Sequence, residues 1–234
     1  IAVISDTEKG VKLPFVSYFL MPNAAVLDSR MTLTLPPHIT AMTGMDALTH
    51  AVEAFTCLAH NPISDAYANG AIKKIADNLL NVLDNPTDAD GRSELAQAST
   101  MAGVAFSNAM VGLVHALGHS LGAVCHLPHG LCMNLFLPYA LEFNKDKNGD
   151  RIAELLLPLA GADVYAATPV AQRADRAIAE IRRMRDEIFN RCKLPRTLQE
   201  TGKVTREQLA QIADLTLDDG AIIINPKEAD RDEI

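Results

Sequence analysis

The stretch LAQASTMAGVAFSNAMVGLVHALGHSLGAVCHLPHGLCMNLFLPYAL, residues 95–141, carries no Asp, Glu, Lys or Arg. A membrane span is the first reading to weigh, because roughly 20 apolar residues cross a bilayer. The run is, however, studded with Gln97, Ser99, Thr100, Ser107, Asn108 and the histidines, and it lacks flanking basic clusters. We therefore read a central helix buried on all sides, with no membrane partner. Such a helix needs other helices around it, so the expected fold is mainly α and bundle-like.

The sequence on either side agrees. From Pro36-Pro37 onward the pattern is helical, first through DALTHAVEAF and then through a helix with Ser64 as its expected N-cap. In that second helix Tyr67, Ala71, Ile72, Ile75, Leu79, Val82 and Leu83 form an apolar stripe. Residues 170–193 follow a Thr168-Pro169 start and align Ala174, Ala177, Ile178, Ile181, Met184, Ile188 and Cys192. The arginines of that segment alternate with acids and read as a solvated face. TREQ, residues 205–208, is a capping box. Before Pro36 the character is β: IAVIS as a buried strand, then LPFVSYFL and AAVLD. The domain reading is a β remnant over residues 1–35 and an all-helical domain over residues 36–234.

Composition narrows the function. A formal net charge of −8 argues against a nucleic-acid partner, whose phosphates need Lys and Arg. Four cysteines without a CxxC pair, in a chain of 234 residues, read as reduced thiols of a cytoplasmic protein. The first residues contain no basic n-region or signal-type core and read as a cut through a larger protein.

Four of the seven histidines fall in HALGHSLGAVCHLPHG, residues 115–130. His115 and His119 are one helical turn apart, as are Asp46 and His50 in TGMDALTHAVEAF, and His129 sits in a Pro/Gly-bounded turn. One carboxylate with two or three imidazoles, drawn from separate apolar elements, is the make-up of a divalent transition-metal site. A lone histidine on an apolar face is more often a hydrogen-bonded core residue, but four in a charge-free segment each need a partner. Spacing leaves the ligand set open, since HxxxH is itself a ligand pattern and Glu53 shares the Asp46/His50 face. His126, His60 and His38 read as structural or surface residues.

TAMTGMDALTHAVEAF, AGVAFSNAMVGLVHALGHSLGAVCHLPHGLCMNLFLPYALEFN and DGAIIINP closely resemble the iron-containing (group III) alcohol dehydrogenases. The resemblance runs nearly end to end and implies a dehydroquinate synthase-like helical domain. It places the family's metal ligands on Asp46, His50, His115 and His129. It places His119 beside the nicotinamide and substrate, as a catalytic and cofactor-binding residue that passes the alcohol proton toward solvent. The implied cofactors are Fe2+, with Zn2+ as an alternative occupant, and NAD(P). The implied reaction takes a small alcohol to its aldehyde or ketone.

Intact members also carry a Gly-rich phosphate loop and a Thr-rich segment in an N-terminal cofactor domain, and residues 1–35 contain neither. The expectation is therefore a truncated form that is inactive alone, binds NAD(P) poorly, exposes an apolar face and self-associates as a homo-oligomer. Two rival readings stand beside it. One is a metallohydrolase with Glu53 as base; the other is a non-catalytic helical module.

Overall fold

A computed structural model of the chain describes residues 2–6, 11–15 and 17–234. The fold is mainly α. Two short strands, β1 (Ala2–Asp6) and β2 (Val11–Phe15), pair antiparallel with Ala2 opposite Phe15 and Asp6 opposite Val11. Ile1 and Val16, which the sequence reading includes in these strands, lie outside the described residues. Within IAVIS, Ile4 is not buried as the sequence reading expects: it is 57% exposed on a two-stranded ribbon. AAVLD forms no strand; its Asp28 instead caps a 3-10 turn over Ser29–Met31.

Helix α1 (Pro37–Thr56) starts where the two prolines place it, with Pro37 in the first turn, where a missing N–H costs nothing. It packs against α2 (Pro62–Asp84), α3 (Ala89–Ala109) and α5 (His129–Glu154), and is the central element of the domain. Met45, Leu48, Val52 and Phe55 on α1 are buried, as are Ile72, Ile75 and Leu79 on α2. Burying each such side chain is worth about 1.5–3 kcal/mol. Ala98, Ala102, Ala105 and Ala109 give α3 a smooth buried edge that lets its neighbours approach closely. Ser64 is not the N-cap of α2. Asn61 holds that place, accepting from the Ile63 and Ser64 N–H groups, while the Ser64 hydroxyl accepts from Asn61 N–H. Ser64 is thus the reciprocal member of the box, three residues inside the helix.

The charge-free run is not one helix. It divides among α3, α4 (Leu113–Cys125) and α5, and the chain bends by 105° between α3 and α4. No single helix among the described residues is long and apolar enough to cross a membrane. The bend rests on Met110, at φ 72°, and on Gly112, the N-cap of α4. A Cβ on Gly112 would lie 3.1 Å from Asn225 Oδ1 and 3.3 Å from Glu53 Oε1, so a side chain at this corner would push on both.

Helices α6 (Leu156–Ala160) and α7 (Ala162–Ala167) lead into α8 (Arg173–Cys192), and α9 (Arg206–Leu217) packs on α4. The α8 stripe is as read, with Ala177, Ile178, Ile181, Met184 and Ile188 buried. Its polar face is not wholly solvated, for Glu180 and Arg185 are also buried, Glu180 between Arg176 and Arg183. The capping box at α9 is present, with Gln208 Oε1 accepting from Thr205 N–H at 2.9 Å.

Candidate metal centre

Three helices bring the site together. Asp46 and His50 project one turn apart from α1, His115 from the first turn of α4, and His129 from the first residue of α5. Two close helix approaches set the distances. At Gly130 a Cβ would sit 2.4 Å from the Met42 carbonyl oxygen, so the start of α5 lies directly on α1. At Gly118 a Cβ would fall 1.9 Å from Met133 Cε, which seats α4 on α5.

One potential ligand atom from each of Asp46, His50, His115 and His129 lies within 4.8 Å of all the others. His129 Nε2 is 3.3 Å and His50 Nδ1 3.8 Å from Asp46 Oδ1. Neither contact is a hydrogen bond: Asp46 Oδ1 is buried with no hydrogen-bond partner, and so is His115 Nε2. Buried polar atoms normally have partners, and leaving one without costs about 1–3 kcal/mol. Two such atoms facing one small space, with two more imidazoles beside them, suit a divalent cation that would satisfy all four at once.

The electrostatics agree with that use. Burial, with His115 beside it, pushes His50 down to about 3, so its imidazole is neutral and its lone pair free at neutral pH. Burial pushes the Asp46 carboxyl up, but the surrounding imidazoles, His129 first, outweigh it and hold the group below the usual carboxylate range. The acid is therefore anionic.

The outer side of the His115 imidazole is supported in a way the sequence left unread. His115 Nδ1 is 2.5 Å from Glu53 Oε2, and the other Glu53 oxygen accepts from Val114 N–H at 2.6 Å. Leu113 N–H donates to Asn225 Oδ1 at 3.2 Å, and Asn225 is paired in turn with Asn144. Two open N–H groups of the α4 N-terminus are thus satisfied by side chains from distant segments. Glu53 is only 5% exposed with both oxygens engaged, which removes it as the solvent-facing base that a hydrolase would need.

His119, a turn further along α4, stands outside the four-residue cluster. Its Nδ1 lies 2.9 Å from Asp219 Oδ2, and its ring stacks on that of His129 with centroids 5.4 Å apart. Asp219 also caps a 3-10 turn (Gly220–Ile224) through Ala221 N–H. Burial raises the Asp219 carboxyl, but the hydrogen bond from His119 and then the Ala221 N–H hold it below its ordinary value. The DGAIIINP motif contained both Asp219 and Asn225; what it did not reveal was which histidine each would serve. Phe106, on α3, stacks on His50 with centroids 4.4 Å apart, across the bend that separates α3 from α4. His126 and His38 are exposed, and His60 pairs with Asp65 at 3.4 Å, away from the cluster.

Comparison with known proteins places the chain in a family. Residues 40–234 match the model of the "Fe-containing alcohol dehydrogenase family, C-terminal". The NADPH-dependent butanol dehydrogenase of Clostridium saccharobutylicum is 33% identical over 100% of this chain, and the 1,3-propanediol dehydrogenase of Klebsiella pneumoniae 35% identical over 99%. The chain spans 58% of the length of each. The crystal structure of a 1,3-propanediol oxidoreductase superposes with a TM-score of 0.92 at 34% identity, covering 99% of this chain and 59% of that one. The chain belongs to the Fe-containing alcohol dehydrogenase family.

Proposed function

We propose that the chain is the metal-holding part of a cytoplasmic, homo-oligomeric alcohol dehydrogenase that moves a hydride between a small alcohol and NAD(P). In this reading residues 36–234 are the catalytic helical domain, and residues 1–35 belong with the cofactor-binding part. The observation that carries it is the pair of buried, unpartnered atoms, Asp46 Oδ1 and His115 Nε2, in a cluster of one carboxylate and three imidazoles. That the relatives above are an NADPH-dependent butanol dehydrogenase and a 1,3-propanediol dehydrogenase supports the substrate class and the nicotinamide.

Asp46, His50, His115 and His129 would hold the ion, which is iron in the family's name and zinc as an alternative. A divalent cation there supplies Lewis acidity, which makes an alcohol's hydroxyl proton easier to remove. His119 would take the proton, a role supported by its half-buried position, by Asp219 at its Nδ1 and by its ring lying against His129. The large apolar side chains left open in the first segment, Phe19 at 100% and Val26 at 91% exposure, support its packing against further protein.

The test uses the whole gene product, loaded with Fe2+ or Zn2+ and assayed for reduced nicotinamide formation over a series of small alcohols. Turnover that requires the metal, and is lost in Asp46→Ala and His129→Ala, is the expected result. Turnover that survives complete chelation would overturn the proposal, as would ester or amide hydrolysis without nucleotide.

A further inference from the structure

Glu53 performs a task that the metal reading by itself does not assign. Its carboxylate lies in the core, contacts His115 through one oxygen and caps α4 through the other. Val114 N–H has only a donor to offer, so the first Glu53 oxygen is committed as an acceptor. The second oxygen meets His115 Nδ1 at 2.5 Å, and a carboxylate there selects the tautomer that carries its proton on Nδ1. The lone pair then falls on Nε2, the buried atom without a partner that faces Asp46, His50 and His129. Asn225 works beside it on Leu113 N–H but does not touch the imidazole.

We propose that Glu53 is the positioning residue of the metal centre: one carboxylate fixes both the register of the first turn of α4 and the tautomer of His115. This rests on the reading of Asp46, His50, His115 and His129 as the ligand set. A Gln at position 53 has the same shape but cannot serve both partners. With its oxygen toward Val114, its amide N–H donates to His115 Nδ1 and selects the Nε2–H form. Turned over, it sets an N–H against Val114 N–H.

The experiment measures Zn2+ affinity by competition with a chromophoric chelator in the full chain, for wild type, Glu53→Gln, Asn225→Ala and His115→Ala. Glu53→Gln is expected to bind about 10–100-fold more weakly, with an unchanged far-UV spectrum. Asn225→Ala is expected to lower the melting temperature while leaving affinity within about threefold of wild type, as removal of a helix cap alone should. Unchanged affinity in Glu53→Gln, beside lost binding in His115→Ala, would overturn the role of Glu53 and leave the ligand set intact. Full binding in His115→Ala would instead overturn the ligand set. Ring 15N shifts of the metal-free wild-type protein supply a check that needs no variant to fold: His115 should carry its proton on Nδ1, and the Nε2–H form would contradict the proposal.

Discussion

Two imidazoles stand one turn apart on α4, and the fold treats them differently. His115 and Glu53 have side chains 3% and 6% exposed, whereas His119 and Asp219 have 30% and 21%. Both rings are gripped at Nδ1 by a carboxylate, so the local device is the same. The supports differ: Glu53 belongs to the central helix α1, and Asp219 to a short 3-10 turn near the C-terminal end. In the dry location the remaining nitrogen has nothing to bind except what the other helices bring. In the wetter one the ring keeps access to water. On the proposal above, identical residue types at helical spacing would serve as a ligand in one case and a proton carrier in the other, by surroundings alone.

The largest effect that distinguishes them is on metal content. His115→Ala should bind no stoichiometric metal, while His119→Ala should retain one ion per chain, measured by elemental analysis after dialysis. Equal loss in both would erase the contrast. Next is folding stability. Glu53→Ala leaves Val114 N–H and the His115 ring buried and unpaired, at about 1–3 kcal/mol for each such group. Asp219→Ala removes a more exposed pair and should cost about 1 kcal/mol. Urea unfolding of the two variants checks the order, and a larger loss in Asp219→Ala would reverse it.

Turnover should separate the pairs the other way. Asp219→Asn in the full-length enzyme weakens the hold on His119, and should lower kcat about tenfold or more with metal content unchanged. An unaltered kcat would leave Asp219 without a part in the proton transfer. The smallest effect concerns a third histidine. His126 ends α4 at φ 52°, a left-handed position that glycine occupies without strain. His126→Gly should raise stability by no more than about 1 kcal/mol, without touching metal binding; lost metal would return His126 to the ligand candidates.

Where one helix carries the signal, the sequence was readable. The Asp46/His50 and His115/His119 pairs follow from the helical repeat, as do the buried stripe of α8 and the capping box at Thr205. What joins them was hidden, because Glu53 meets His115 across 62 residues and His119 meets Asp219 across 100. No periodicity reports a contact of that separation. The corner at Met110–Gly112 was missed for a related reason. An apolar run without charges looks uniform, and only Gly112 marks the place where two side chains from elsewhere enter the backbone's space. At the front, strand-like composition did not ensure strands, because AAVLD finds no partner edge among the described residues.

The proposal assigns Asp46, His50, His115 and His129, and not His119, to one metal centre. Anomalous diffraction from crystals of the metal-loaded protein tests it most directly. A single ion per chain is expected, with one Asp46 oxygen and three imidazole nitrogens at ~2.0–2.2 Å and His119 not among its ligands. An ion bound by His119 with His129 turned away would contradict it.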